Sequence, residues 1–195
     1  MTKHLGYLKL FVALAAAILS FGHAGEALAD SAEEQRAEIR KMRTEALSHL
    51  YKVHPAARQK IQTAAGYAVF SNVGINLIFL SAAGGSGVAH DNKANREIFM
   101  KMVSGGVGIG LGVKDFRGVF VFSDHAAFKR FVDSGWEASA QADGAAKAGS
   151  KGGAVAGAIT VAPGVSLYQL TENGLALQAT IQGTKYYKND DLNSK

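Results

Sequence analysis

Residues 105–113 read GGVGIGLGV, with glycine at Gly106, Gly108, Gly110 and Gly112 and apolar Val107, Ile109, Leu111 and Val113 between them. The period is two, that of a strand whose side chains alternate between faces. One face therefore carries apolar side chains and the other carries none. A dinucleotide fingerprint needs glycines at a tight turn and then a helix whose N-terminus meets the phosphate. Here KDFRG and another apolar run follow, and the Gly-Lys-Ser/Thr ending of a P-loop is absent. The stretch reads as a strand. A strand glycine is less favourable than alanine by about 0.5–1 kcal/mol, so a bare glycine face implies close approach. The face then serves the approach of another backbone, a helix or a ligand chain lying on the sheet, or the tight curvature of a small barrel.

The flanking segments extend this pattern. SAEE (31–34) reads as a capping box with Ser31 as the N-cap and Glu34 reaching back. Ile39, Met42, Ala46, Leu47 and Leu50 recur at helical spacing, opposite Arg36, Glu38, Arg40, Lys41, Arg43 and Glu45. Pro55 opens a second helix, PAARQKIQTAA, which Gly66 closes. YAVFS (67–71) and VGINLIFLSA (73–82) are expected strands, and GGSG (84–87) is a turn or a close-packed strand segment. ANREIFMKM (94–102) fits a short helix or an irregular strand. The glycine strand and GVFVFS (118–123) form a hairpin through KDFR. SDHAAFKRFVDSG (123–135) is a helix capped by Ser123 or Asp124, with Phe128, Phe131 and Val132 on one face and Gly135 at its end. Residues 139–153 are a small-residue, basic loop or strand. GAITVAPGVSLYQL (157–170) and LALQATIQG (175–183) are strands around TENG, and TKYYKNDDLNSK (184–195) is a polar tail. The expected fold class is α+β: N-terminal helices, then a glycine-rich, mainly antiparallel sheet or barrel-like core with short inserted helices.

The first 29 residues are expected to be a cleaved signal peptide. Lys3 and Lys9 precede an uncharged apolar run over 10–21, and Ala27 and Ala29 form an Ala-x-Ala exit. The run is shorter than the roughly 20 residues of a membrane span. Residues 30–54 are then an amphipathic helix and 55–195 the main domain, in a protein of the periplasm or outside the cell. The chain has no cysteine, which excludes disulfides and thiolate metal sites. Its 23 glycines among 195 residues exceed the usual share of about 7%. With only two prolines and 48% hydrophobic residues, the composition is not that of a disordered chain.

Catalytic and metal constellations are weak. His4 and His23 fall in the leader. His49 and His54 are five apart, the wrong spacing for a metal pair on one helical face. His90–Asp91 reads as a turn. Ser123, Asp124 and His125 are consecutive and cannot converge as a triad. No catalytic residue, metal or cofactor is expected. A hydrolase would require a cleft at His90 or His125 with a carboxylate beside it. The formal charge of +5 is a modest excess that permits attraction to anionic surfaces. Lys114 and Arg117 flank Phe116 at the hairpin tip, a basic-aromatic element suited to a membrane interface. Lys147 and Lys151 lie in the small-residue segment, and Arg40 and Arg43 on the first helix. Export and sparse charge argue against a nucleic acid partner.

Residues 55–195 resemble the SYLF lipid-binding family. The resemblance rests on the order AAGYAVFSNVG (64–74), GGSGVA (84–89), GGVGIGLGVKDFRGVFVF (105–122), AFKRFVDSGWEASAQADGAAKAG (127–149) and VSLYQLTENGLALQATIQGTKYYKNDDLN (165–193). Phe70-Ser71 stands where the family commonly has Phe-Pro, and INLIFLSA lacks an expected glycine pair. The resemblance implies binding of phospholipid through basic residues near Lys114, Arg117, Lys147 and Lys151 and an amphipathic N-terminal segment. It supplies no catalytic residues. The expected partner is an anionic phospholipid or membrane surface. The alternative is an envelope scaffold that binds a protein partner through the Ile39–Leu50 face.

Overall fold

The computed structural model describes residues 31–72, 84–104, 117–137, 157–171, 174–176 and 184–194. The chain divides into two compact units, Met1–Ala37 and Glu38–Lys195. In the first, residues 31–37 are helical. Ser31, expected as the cap, already lies within the helix, and its hydroxyl accepts from Gln35 Nε2 at 3.4 Å.

In the second unit, helix α1 covers residues 38–53. Of its apolar stripe, Ile39, Met42, Ala46 and Leu50 are buried, as the helical spacing predicts, and Leu47 is half-buried. Helix α2 (Ala56–Thr63) starts after Pro55, whose missing N–H costs nothing at a helix start. It ends at Ala64, which is extended. Gly66, expected as the helix stop, instead opens strand β1 (Gly66–Ser71). A side chain there would lie 2.6 Å from the Phe128 ring and 2.7 Å from the His90 carbonyl, so the glycine serves sheet packing.

The remaining elements are β2 (Gly84–Asp91), β3 (Arg96–Ser104), β4 (Arg117–Phe122), helix α3 (His125–Asp133), β5 (Trp136–Glu137), β6 (Ile159–Ala162), β7 (Val165–Thr171), β8 (Gly174–Ala176), β9 (Thr184–Lys188) and the short helix α4 (Asp190–Asn193). The fold is α+β. Among the described residues nine strands form one curled sheet in the order β5-β9-β3-β2-β1-β4-β7-β6, with β8 also on β7, and every pairing is antiparallel. ANREIFMKM resolves as a turn followed by a regular nine-residue strand. His90 and Asp91 end β2, and the turn lies at residues 92–95. The expected single strand over 157–170 is two, folded back at Pro163–Gly164 where Gly164 has φ +75°. The polar tail contains β9, which inserts between β3 and β5 with Tyr186 fully buried. The stretch VGINLIFLSA, the glycine strand and residues 139–153 lie outside the described residues.

One sheet face carries Ala68, Phe70, Ala89, Ile98, Met100, Phe120, Phe122, Leu167 and Tyr186, packed with Phe128, Phe131 and Val132 of α3. Asp124 caps α3 by accepting from Ala127 N at 2.8 Å. The opposite face carries Val69, Val88, Phe99, Val119, Tyr168 and Leu170, all buried. On that side the Arg40 guanidinium lies over the Phe99 ring at 5.3 Å and the His54 ring lies 5.7 Å from that of Tyr168. Among the described residues no helix is long and apolar enough to cross a membrane.

Candidate functional site

The antiparallel register aligns three polar residues on the α1 side of the sheet. Tyr67 on β1 stands opposite His90 on β2, and His90 stands opposite Glu97 on β3. Phe99, two residues along β3, shares their face. Arg40 and Arg43, one helical turn apart on α1, reach this row from above. Together with Asn95 and Arg96 these residues line an open groove of about 570 Å³.

Glu97 is the hub. Its Oε2 accepts from Arg40 Nε at 2.8 Å, and its Oε1 accepts from Arg43 Nη1. Burial acts to raise the Glu97 pKa, but the hydrogen bonds and charges of Arg40 and Arg43 outweigh it and hold it below the ordinary value. His90 stacks obliquely on Tyr67, with ring centroids 5.3 Å apart. Burial first and the Arg43 charge second lower the His90 pKa, so its imidazole is neutral at pH 7. Its Nδ1 is buried without a hydrogen-bond partner. Burial raises the Tyr67 pKa against the pull of Arg43. Three guanidinium groups against one carboxylate leave the groove with an excess of positive charge.

The turn that presents Asn95 and Arg96 is anchored from two directions. Asp91, almost wholly buried, accepts from the backbone N–H groups of Lys93 and Ala94 through Oδ1 at 3.0 and 2.9 Å. Its Oδ2 meets His125 Nε2 of α3 at 2.9 Å. The neighbouring Asn92 donates through Nδ2 to the carbonyls of Ile61 and Ala64 at the end of α2, at 2.7 and 2.9 Å. Asn95 then takes a left-handed φ of +47°, a conformation Asn tolerates better than most residues. The Phe99 edge is closed by α4: Asn193 Oδ1 accepts from Phe99 N, and Asn193 Nδ2 donates to Phe99 O.

Of the residues singled out from sequence, the structure brings Arg40 and Arg43 into this groove. Arg117 opens β4, half-buried, opposite Ser71 and Leu170, away from the groove. Lys114, Phe116, Lys147, Lys151 and the glycines Gly106, Gly108, Gly110 and Gly112 lie outside the described residues. Sequence pattern does not single out Tyr67, Asn95, Arg96, Glu97 or Phe99, and it offers His90 only as a turn residue or a hydrolase candidate. The signal that joins them is the strand register. Both His90 and His125 have a carboxylate neighbour, but Glu97 is engaged by two arginines and Asp91 organises the turn. Among the described residues no Ser, Thr or Tyr hydroxyl hydrogen-bonds either imidazole, and no three His, Asp or Glu side chains gather as metal ligands. In the stripe that a scaffold would use, Ile39, Met42, Ala46 and Leu50 are buried within their own unit and Leu47 is half-buried.

This combination defines an α+β protein with a positively charged groove between a helix and an antiparallel sheet. The chain is 35% identical over 162 residues to Beta cell expansion factor A of Aeromonas veronii, an alignment covering 83% of this chain and 60% of that protein. The chain thus spans about three-fifths of the length of the curated relative it matches. No protein-family model matches it.

Proposed function

We propose that this is an exported protein of the SYLF lipid-binding type that associates with anionic phospholipid surfaces and performs no chemical step. The observation that carries the reading is the groove. Arg40, Arg43 and Arg96 surround a single carboxylate, beside the aromatic rings of Tyr67 and Phe99. Guanidinium groups suit phosphate oxygens because their planar donors bind in pairs. Each basic residue near an anionic surface contributes about 1 kcal/mol, so a few of them give weak binding that salt screens.

Co-sedimentation with liposomes tests the reading. The full chain is expected to pellet with vesicles containing anionic lipid, to remain in solution with purely zwitterionic vesicles, and to be released by salt. Equal, salt-insensitive binding to both vesicle types would sink the electrostatic mechanism. A Lys114→Glu/Arg117→Glu double variant addresses the basic-aromatic segment singled out from sequence. Retained binding there, with loss in an Arg40→Ala/Arg43→Ala variant, would assign the contact to the groove.

A further inference from the structure

We propose that Glu97 is a displaceable internal anion, and that the groove's own ligand is a phosphomonoester group that takes over its two arginines. This rests on the anion-binding reading above and adds to it the chemical class of the ligand.

The geometry around Glu97 is that of a site already occupied. Each carboxylate oxygen faces a different arginine, so two donors converge on one planar anion. Arg40 does not depend on that anion alone, because its guanidinium also lies over the Phe99 ring. Glu97 itself is free to leave. Its side chain is 24% exposed, and it lies on the part of β3 that β9 does not reach, since the β3–β9 register begins at Met100. Rotating its side chain into solvent leaves the backbone pairing with His90 intact.

Two features of the groove are unused by the carboxylate. Arg96 is exposed and has no ion-pair partner among the described residues. His90 Nδ1 is buried with no hydrogen-bond partner. A planar carboxylate has two oxygens, both committed. A phosphomonoester offers three terminal oxygens and between one and a half and two negative charges, roughly, at pH 7. It can satisfy Arg40 and Arg43 and still present an oxygen to Arg96 or to the Nδ1–H tautomer of His90. A phosphodiester carries one charge and two terminal oxygens, the same as the group it would replace. Exchange with Glu97 is therefore favourable for a monoester and close to neutral for a diester. The monoester can be a lipid headgroup or a soluble phosphate.

The experiment compares the full-length wild type with Glu97→Gln and Arg96→Ala. Each is measured against phosphatidylcholine vesicles carrying equal fractions of phosphatidic acid, a monoester, or phosphatidylglycerol, a diester, and against inorganic phosphate by calorimetry. Wild type is expected to prefer phosphatidic acid by about fivefold, the ratio one charge near a lipid surface supplies. Glu97→Gln, which removes the competing anion, is expected to tighten binding of both lipids by about fivefold and to leave the preference between them unchanged. Arg96→Ala is expected to weaken phosphatidic acid binding by a similar factor. Glu97→Gln binding phosphatidylglycerol no better than wild type, at an unchanged melting temperature, would overturn the proposal. Should Glu97→Gln be unstable, the wild-type ratio decides alone, and a ratio near one overturns it. If wild type binds neither vesicle, the membrane reading fails. Tightening of inorganic phosphate by Glu97→Gln then upholds the displaceable anion with a soluble ligand, and no tightening overturns it.

Discussion

The two faces of the sheet are built on different principles. Under α3, Phe70, Phe120, Phe122, Phe128, Phe131 and Tyr186 meet edge-on or tilted, at centroid distances such as 4.7 Å for Phe70–Tyr186 and 5.0 Å for Phe120–Tyr186. Under α1, the same strands present Tyr67, His90 and Glu97 in a polar row that meets two arginines. An apolar face specifies register strongly, because a slip of one residue would turn every core side chain outward. The apolar face thereby fixes the polar row opposite it. The aromatic side supplies the stiffness, and the other side presents the charged and polar groups of the groove.

The sharpest way to break this division is to damage the aromatic face. Phe120 is fully buried and contacts the rings of Phe70, Phe131, Trp136 and Tyr186. Phe120→Ala is expected to cost about 3–5 kcal/mol, read as a lowered midpoint in chemical denaturation. Vesicle binding by the fraction that remains folded should be unchanged. A loss of binding as large as that of an arginine variant would show that the faces are not separable.

A smaller effect tests the glycines that let β1 and β2 approach. An added Cβ at Gly87 would fall 2.3 Å from Phe70 Cδ1 and 2.5 Å from the Val69 carbonyl oxygen. Gly87→Ala is expected to destabilise by about 1–3 kcal/mol, the usual cost of overpacking, because the backbone carbonyl cannot yield as a side chain does. An unchanged melting temperature would show that β2 is not held as tightly as the ring packing implies.

The aromatic side was the legible one. Phe128, Phe131 and Val132 recur at helical spacing, Phe120 and Phe122 alternate at strand spacing, and Asp124 is a cap by residue type. The stripe of α1 was equally plain. The groove was not, because Arg40 and Arg43 lie 57 and 54 residues from Glu97 in sequence, and only the pairings of β1, β2 and β3 align Tyr67, His90 and Glu97. Strand β9 escaped for a related reason. Thr184 and Tyr186 alternate inward, but Lys185, Tyr187 and Lys188 between and beside them make the segment read as polar. Half-buried strands at this edge take their inward face from neighbours that are distant in sequence.

Acid should act on His90 and Glu97 of the polar row and on Asp91 of the α3 side. The pKa values of His90, Asp91 and Glu97 are all lowered in the fold, so the unfolded chain binds more protons than the folded one. Their stabilisation is present above the unfolded pKa values and is lost as pH falls. Melting temperature is expected to begin falling below about pH 6.5, where an unfolded His takes a proton, and to fall again below about pH 4, where unfolded carboxyls do. A flat profile between pH 7 and pH 3 would contradict the environments of all three groups.

The smallest effect concerns a joint between the faces. Asp91 belongs to the α3 side, where His125 Nε2 meets it at 2.9 Å, yet it shapes the turn that carries Asn95 and Arg96 to the groove. Burial acts to raise the Asp91 pKa, but the Ala94 N–H, His125 and the Lys93 N–H outweigh it. His125 is 44% exposed on its side chain, so solvent screens much of the pair. His125→Gln is expected to cost about 0.5–1 kcal/mol and to make the fall in stability below about pH 4 shallower. Residue 125 does not line the groove, so a rigid turn predicts unchanged anion binding. Weaker binding at full thermal stability would mean that His125 positions Arg96 through Asp91, and that the chemistry of one face is set by a clamp on the other.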